Sequence, residues 1–227
     1  MKKGVCIISG GLDSCVAAYD MKKNLGLDDL ILITFNYGQK HKKEIGYAQQ
    51  IAKTLNCPWE LIDFVMPKEA FNKSSLTSET KEIPEGYYAE ENMRSTVVPN
   101  RNTIMLSFAW AYACGINASV LGCGAHAGDH FIYPDCRPDY FHHLEKAFKL
   151  GTELCSHPDL YLYVPLLDMH KSEVVKKGID LGVPFTKTWT CYKGLDIPCG
   201  KCGSCDERIN AFDTLGLKDP VRYANGR

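Results

Sequence analysis

Apolar runs alternate with segments of helical periodicity over the first two-thirds of this 227-residue chain, and this pattern limits the possible folds most strongly. A first apolar run spans residues 4–8 and a second spans 30–35, with a helical segment at 13–25 between them. Such alternation is typical of β/α units around a parallel sheet and disfavours all-β and all-α folds. We therefore predict an α/β fold with a doubly wound parallel sheet.

The rest of the chain is divided by the same two periodicities. Further strands are expected at 60–64, 119–121 and 161–164, and further helices at about 45–55, 103–114, 140–150 and 171–181. Two connections, 66–100 and 122–139, lack periodicity and are polar, and long connections of this kind are usually functional lids or flexible loops. We expect an α/β domain over residues 1–185 and a small C-terminal lobe, 186–227, packed on it.

Charge and cysteine content narrow the class of partner and the compartment. The 26 basic and 27 acidic residues give a net charge of −1, which lacks the basic footprint of most nucleic-acid-binding proteins. Small-molecule substrates are therefore expected, although a local basic patch remains compatible with this balance. No apolar stretch is long enough for a membrane span or a signal-peptide core, so we expect a cytoplasmic protein. Eleven cysteines without an export signal are better explained as thiols and metal ligands than as disulfides.

A small-residue turn, Ser9-Gly10-Gly11-Leu12-Asp13-Ser14, lies between the first strand and the first helix. Backbone N–H groups at a helix N-terminus attract anions, and glycines let the backbone approach a phosphate closely. The serine hydroxyls can add donors, and Asp13 can hold a magnesium ion that neutralises phosphate charge. The alternative is a simple glycine turn in which Asp13 or Ser14 caps the helix. The turn lacks the lysine of a Walker loop and does not match the dinucleotide fingerprint.

Four cysteines form a compact pattern near the C-terminus: Cys191, Cys199, Cys202 and Cys205, with glycines at 200 and 203. Four thiolates suit a tetrahedral zinc ion and leave no position for a catalytic water, so the metal is expected to be structural. An iron-sulfur cluster could use the same four ligands, and spacing does not distinguish the two. A disulfide is disfavoured by the expected cytosolic location.

The string S-G-G-x-D-S resembles the PP-loop of the ATP pyrophosphatase superfamily, whose members adenylate a substrate and release pyrophosphate. The resemblance implies a fold of this PP-loop type with a zinc-binding lobe. It also implies that ATP contacts the turn and the residues after the second strand: Ile8, Ser9, Gly10, Gly11, Leu12, Asp13, Ser14, Phe35, Asn36 and Tyr37.

Three shorter strings extend the resemblance to almost the whole chain, from residue 5 to about 212. They are Pro99-Asn100-Arg101-Asn102, Tyr133-Pro134-Asp135-Cys136-Arg137 and Thr188-Trp189-Thr190-Cys191-Tyr192. Together with the turn and the cysteines, they resemble the 7-cyano-7-deazaguanine synthase family. Two positions depart from the expected pattern, since Leu12 stands where many members have Gln and Asn100 stands where Gly is expected.

This family resemblance implies a ligase that uses ATP and magnesium to convert 7-carboxy-7-deazaguanine and ammonia to the 7-nitrile. It also suggests a homodimer, with structural zinc and free ammonium as the nitrogen source. Asp13, Ser14 and Arg101 are the candidate catalytic residues, and the candidate substrate-binding residues are Arg101, Asn102, Tyr133, Asp135 and Arg137. The alternative for Arg101 is a structural ion pair, and for the Pro134 region it is stabilisation of a turn.

Two other functions fit parts of the pattern. A tRNA thiolase or lysidine-forming ligase could use the same turn, but it should carry a basic face or an RNA-binding domain. A zinc-stabilised nucleotide-binding module without catalysis would bind ATP and release neither AMP nor pyrophosphate. His126, Asp129 and His130 define no metal geometry, so a surface-loop or substrate-lining role is favoured for them.

Overall fold

The computed structural model of the chain describes residues 1–64 and 68–226. Five strands lie within these ranges: β1 (Lys3–Ile7), β2 (Asp29–Asn36), β3 (Trp59–Asp63), β4 (Val120–Gly122) and β5 (Tyr161–Tyr163). The same ranges contain eight α-helices: α1 (Leu12–Asn24), α2 (Lys43–Leu55), α3 (Lys68–Phe71), α4 (Glu90–Met93), α5 (Arg101–Gly115), α6 (Pro138–Gly151), α7 (Lys171–Asp180) and α8 (Gly203–Thr214). The predicted strands and long helices are present, with bounds shifted by one or two residues at most termini.

The strands form one parallel sheet in the order β3-β2-β1-β4-β5. Val5 at the centre pairs with Ile31 on one side and with Leu121 on the other. The chain therefore winds outward in two directions from β1, which confirms the predicted doubly wound fold. Beyond the carboxyl ends of β1 and β4, the connecting segments leave the sheet in opposite directions. Sheets of this kind bind ligands in the crevice between two such segments.

Two apolar clusters cover the two faces of the sheet. Alternate residues of β1 point to opposite faces, so Val5 packs with α5 and α6 whereas Cys6 packs with α1, α2 and α7. The C-terminal segment joins both clusters, through Trp189 and Ile209 on one face and Phe212 on the other. Residues before and after the predicted boundary at residue 185 therefore pack in the same two apolar clusters.

The connection predicted at 66–100 begins with two residues that lie outside the described part of the chain. Its described part contains α3, α4 and a short 3-10 turn, and it buries Leu76, Met93 and Val98. It also reaches the C-terminal segment, because Glu85 forms a β-bridge with Cys202. This long connection is therefore anchored against the cysteine cluster.

Arg208 on α8 ties the C-terminal tail to the rest of the molecule. Its guanidinium is 1% exposed and donates two hydrogen bonds to the Asp219 carboxylate, at 2.7 and 3.0 Å. It also donates to the Phe185 carbonyl and to the Thr188 hydroxyl.

Among the described helices, none is both long enough and apolar enough to cross a membrane.

Candidate active site and metal centre

A cavity opens at the carboxyl ends of the central strands and includes the glycine turn in its wall. Its volume is about 220 Å³, and it opens to solvent. Its lining comes from the turn, from the segment after β2, from the start of α5, from the segment after β4 and from the C-terminal segment. The parallel topology thus brings together five stretches of chain that are far apart in sequence.

The turn from Ser9 to Ser14 is held by its own hydroxyl groups. The Ser9 N–H donates to the Ser14 hydroxyl at 3.1 Å, and the Gly11 N–H donates to the Ser9 hydroxyl at 3.1 Å. Gly11 occupies the position before the first residue of α1 and has no side-chain cap. The first N–H groups of a helix have no partner within the helix, and Leu12, Asp13 and Ser14 at the start of α1 line the cavity, where such groups can bind an anion.

Two glycines are required here by close backbone contacts. Gly10 has a φ of +88°, and a Cβ on it would lie 2.2 Å from the Glu44 carbonyl oxygen on α2. Gly124, after β4, would place a Cβ 2.8 Å from the Ser14 backbone. Gly10 therefore allows α2 to pack against the turn, and Gly124 allows the segment after β4 to cross the start of α1.

Asp13 belongs to a buried cluster of charges beside the turn. The Lys171 ammonium donates to the Asp13 carboxylate at 2.8 Å and lies 2.9 Å from the Glu207 carboxylate. Burial alone would raise the pKa of Asp13, but the nearby Lys171 and His126 lower it below its usual value. The other Asp13 oxygen, Oδ1, is buried and has no hydrogen-bond partner among the described residues. Asp13 is therefore an ionised carboxylate with one oxygen available to a ligand.

His126 lies behind this cluster and is 1% exposed. Its Nδ1 accepts a hydrogen bond from the Gly128 N–H at 3.1 Å, and its Nε2 lies 3.2 Å from the Lys171 ammonium nitrogen. Nε2 lies 3.6 Å from Asp129 and 3.8 Å from Glu207. His126 is thus a buried orienting group rather than the surface-loop residue that the sequence favoured as one alternative.

Arg101 begins α5 and lines the cavity together with Tyr37, His41, Glu44 and Tyr192. Its guanidinium lies 3.4 Å from the Tyr37 hydroxyl. Asn100, immediately before it, adopts a φ of +58°. Asn tolerates this left-handed conformation better than most residues, which explains how it can replace the glycine expected at this position.

The predicted substrate-binding residues fall into two groups. Arg101 and Asn102 line the cavity, whereas Tyr133, Asp135 and Arg137 lie outside its lining among the described residues. Asp135 accepts a hydrogen bond from the Asn102 N–H at 3.2 Å, and the Tyr133 hydroxyl pairs with that of Thr96 at 2.7 Å. Arg137 donates to the His130 carbonyl. Their substrate contacts stay a prediction.

The predicted ATP-binding residues divide in the same way. Eight of the ten predicted residues line the cavity: Ile8, Ser9, Gly11, Leu12, Asp13 and Ser14 in or next to the turn, and Phe35 and Tyr37 at the end of β2 and just after it. Gly10 packs against α2, and Asn36 donates to Asp63 at 2.6 Å on the neighbouring strand.

Sequence reasoning missed Lys171, His41 and Glu44. None of them belongs to a motif that indicates a site. Each follows a strand of the sheet, however, since His41 and Glu44 come after β2 and Lys171 comes after β5. Because all strands are parallel, polar residues in these connections converge at one edge, and this rule could have identified them.

The four C-terminal cysteines, which the sequence predicted as metal ligands, form a cluster that could hold a metal ion. All four are buried, and their Sγ atoms lie within 4.8 Å of one another. The N–H groups of Lys201 and Cys202 point at the Cys199 sulfur, at 3.4 and 3.2 Å, which stabilises a thiolate. All eleven cysteines of the chain are free of disulfides. The arrangement can therefore bind a metal through four thiolates.

Comparison with known proteins identifies the family. The family described as "Queuosine biosynthesis protein QueC" matches residues 3–216. A 7-cyano-7-deazaguanine synthase from Methanoregula boonei is 47% identical over 224 residues, covering 97% of this chain and 99% of that protein. The 7-cyano-7-deazaguanine synthase 2 of Colwellia psychrerythraea is 44% identical over 224 residues, covering 99% and 100%.

Among solved structures, a U34-tRNA thiolase, NcsA from Methanococcus maripaludis with its 4Fe-4S cluster, has the same PP-loop fold. The TM-score is 0.50 at 18% identity, with 94% of this chain and 65% of that chain covered. At this identity the likeness concerns the fold alone. The full-length sequence relatives decide the family, and the chain belongs to the QueC family of queuosine biosynthesis proteins.

Proposed function

We propose that the protein catalyses the ATP-dependent conversion of 7-carboxy-7-deazaguanine and ammonia to 7-cyano-7-deazaguanine, a precursor of queuosine. The observation that carries this proposal is the match at 47% identity over almost the full length of a 7-cyano-7-deazaguanine synthase. The cavity beside the S-G-G-x-D-S turn adds support, because it offers room for a nucleotide next to an anion-binding helix N-terminus.

The reaction requires activation of a carboxylate. A carboxylate is a poor electrophile because its leaving group would be an oxide or hydroxide. Attack of the carboxylate on the α-phosphorus of ATP gives an acyl adenylate and releases pyrophosphate, and ammonia then displaces AMP to form the amide. A second ATP adenylates the amide oxygen with release of pyrophosphate, and that oxygen then leaves as part of AMP while the nitrogen gives up its two protons, which yields the nitrile. We expect catalysis by positioning and electrostatic stabilisation, without a protein nucleophile.

The turn is the proposed site of pyrophosphate release. The N–H groups at the start of α1 and the Ser9 and Ser14 hydroxyls are the proposed donors for the departing phosphates. Lys171 supplies the positive charge that offsets Asp13 at this site, because the two groups form an ion pair at 2.8 Å. Asp13 would hold the magnesium ion of MgATP through its unpartnered oxygen, and the ion would neutralise phosphate charge.

Arg101 and Asn102 are the proposed contacts for the deazapurine substrate. Arg101 lies in the cavity wall, where its planar guanidinium can pair with the substrate carboxylate or with phosphate. Asn102 borders the same cavity, and Asp135 holds its backbone N–H. Tyr133 and Arg137 are proposed to complete the substrate-binding edge around Asn102.

Zinc is the proposed metal at the four cysteines, with a structural role. A zinc ion bonded to sulfur at about 2.3 Å sets tetrahedral thiolates about 3.8 Å apart. The Cys199 and Cys205 sulfurs lie 4.0 Å apart, and a cluster that binds each thiolate through a different iron would separate them further. Elemental analysis should find about one zinc per chain, and visible iron-sulfur absorbance would reject this assignment.

We also propose a cytoplasmic homodimer that binds no nucleic acid. The family resemblance suggests the dimer, and the free cysteines suit a reducing compartment. Leu150 in the last turn of α6 and Leu154 just after this helix are 79% and 100% exposed, so an interface has apolar surface to bury. Light scattering of the purified protein would test the dimer.

The function is tested with the purified, metal-loaded protein, ATP, magnesium, ammonium and 7-carboxy-7-deazaguanine. The expected products by mass spectrometry are AMP, pyrophosphate and the nitrile. Accumulation of the amide without nitrile would retain the activation step and refute the dehydration step. Absence of AMP that depends on the deazapurine would refute the substrate assignment.

A further inference from the structure

A buried carboxyl group, that of Glu44, faces the cavity from the first turn of α2. Its side chain is 12% exposed, and it lines the cavity beside Arg101 and Trp189. The Glu44 backbone also lies directly against Gly10 of the glycine turn, since a Cβ added to Gly10 would lie 2.2 Å from the Glu44 carbonyl oxygen. The carboxyl group is therefore close to the turn where an adenylate would form.

The position of Glu44 is set by neighbours on the segment after β2. Gln39 donates to Glu44 Oε1 at 3.1 Å, and its own amide is anchored by Phe35 and Tyr37. His41 Nε2 lies 3.5 Å from the same carboxylate oxygen. His41 is 4% exposed, and its Nδ1 is buried without a hydrogen-bond partner among the described residues. The pair thus combines a carboxyl group with an unsatisfied ring nitrogen.

The charges around Glu44 leave its carboxylate without a close ion-pair partner when it ionises. Burial raises its pKa to about 8, while Gln39 and the Arg101 charge oppose this rise. Burial and Arg101 lower the pKa of His41 to about 3, so His41 stays neutral and does not balance the carboxylate. In the described part of the chain, no lysine or arginine lies within ion-pair distance of Glu44.

Apart from the more distant Arg101, the remaining groups that face Glu44 do not supply a positive charge. Tyr37 lies at the end of β2 and Cys15 lies on α1, and both interact with the Glu44 charge. Burial raises the pKa of each of these two groups, so both are neutral at physiological pH. The Tyr192 ring lies beside that of His41, with 5.4 Å between ring centroids and a tilt of 47°. Aromatic faces attract small cations, which adds to the affinity of this corner for a positive ligand.

The proposed function, on which this inference rests, has a step that needs such a group. Its nitrogen source is ammonium, which keeps its proton at neutral pH as primary amines do and then has no lone pair for attack. A base works best when its pKa is close to the working pH. An exposed glutamate has too low a pKa to take a proton from ammonium. A buried glutamate has a higher pKa, which is closer to the working pH.

We propose that Glu44 and His41 form the ammonium site of the enzyme, where the Glu44 carboxylate takes one proton from ammonium. The ammonia lone pair attacks the carbonyl carbon of the adenylated carboxylate, forming the C–N bond. The bond between that carbon and the phosphate oxygen then breaks. The leaving AMP takes the second proton lost by nitrogen, and Glu44 returns its proton to water through the open cavity.

A purely structural role for Glu44 is the competing explanation, because its bond to Gln39 also braces the start of α2. Glu44→Gln separates the two roles. The glutamine keeps an oxygen that can accept from Gln39 but cannot take a proton. Glu60→Gln is the matched control, since Glu60 is an exposed carboxylate on β3.

The experiment compares ammonium with hydroxylamine, a nucleophile that is unprotonated at neutral pH and needs no base. Pyrophosphate release in the presence of 7-carboxy-7-deazaguanine reports adenylation separately. In Glu44→Gln, ammonium-dependent amide formation should fall about 100-fold or more, while pyrophosphate release and hydroxamate formation stay within about threefold of wild type. Glu60→Gln should match wild type in all three assays.

Several other outcomes would overturn the inference. If Glu44→Gln uses ammonium normally, or loses ammonium and hydroxylamine equally, the inference is overturned. If the wild-type protein itself shows no adenylation, the proposed function fails and the inference fails with it. Should the variant not fold, wild-type crystals soaked in thallous ion, a cation of similar size to ammonium, give a second test. Anomalous density beside Glu44 is expected, and its absence there would overturn the inference.

Discussion

Removing the Lys171 ammonium tests whether the buried charge cluster serves the glycine turn. Lys171 is 10% exposed and forms ion pairs with Asp13 at 2.8 Å and with Glu207 at 2.9 Å. Lys171→Met keeps most of the side-chain volume and removes the charge. Two carboxylates then remain buried without a cation, and the anion site beside α1 gains uncompensated negative charge.

The size of the effect follows from these distances. At 2.8 Å, one such ion pair is worth about 6 kcal/mol at an effective dielectric constant of about 20, before the cost of desolvation. Removing one partner of a buried pair typically costs about 3–5 kcal/mol. Burial raises the pKa of Glu207, so this residue can take up a proton in the variant. The loss of stability should therefore lie toward the lower end of this range. For a chain of this size, the melting temperature should fall by about 6–20 °C.

The catalytic effect should exceed what instability explains. Loss of one preorganised electrostatic group usually lowers kcat by about 100- to 1000-fold, and we expect this loss in substrate-dependent pyrophosphate release below the melting temperature. Lys177→Met is the control, because Lys177 lies on the same helix and pairs with the buried Asp20 at 2.7 Å, outside the cavity lining. It should lose stability and keep activity. Pyrophosphate release that is unchanged in folded Lys171→Met would refute our account of this cluster.

Two further predictions concern the turn and the metal. Gly10→Ala adds a Cβ that meets the Glu44 carbonyl at 2.2 Å, so we expect a loss of about 2–5 kcal/mol in the free energy of unfolding, measured by urea titration. Gly38→Ala, with a similar φ of +89° but open space around it, should lose only about 1–2 kcal/mol, and an equal loss in both variants would show that contact with α2 is unimportant. Cys205→Ser should abolish stoichiometric metal binding by elemental analysis, because a ligand is lost. The exposed Cys155→Ser should retain the metal, and full metal content in Cys205→Ser would contradict the four-thiolate site.

The fold was predictable because its signals repeat along the chain. The apolar runs and the helical segments predicted each strand of the sheet, and the parallel β/α alternation predicted the doubly wound order that the structure confirms. The connection between β3 and α5 was less predictable. Its buried Leu76, Met93 and Val98 follow no period, since they pack against partners chosen by the fold rather than along one face of a regular element.

The sequence by itself determined the features that are local: the strand-turn-helix that ends in Asp13 and Ser14, and the compact set of four cysteines. Neighbours in the chain are neighbours in space, so these groups could be identified without a fold. Only the tertiary structure decided that Lys171, 158 residues further along, pairs with Asp13. It also decided that Glu44 is a buried carboxyl group facing a cavity. Burial and pairing depend on which elements pack over a residue, and the sheet topology sets that packing.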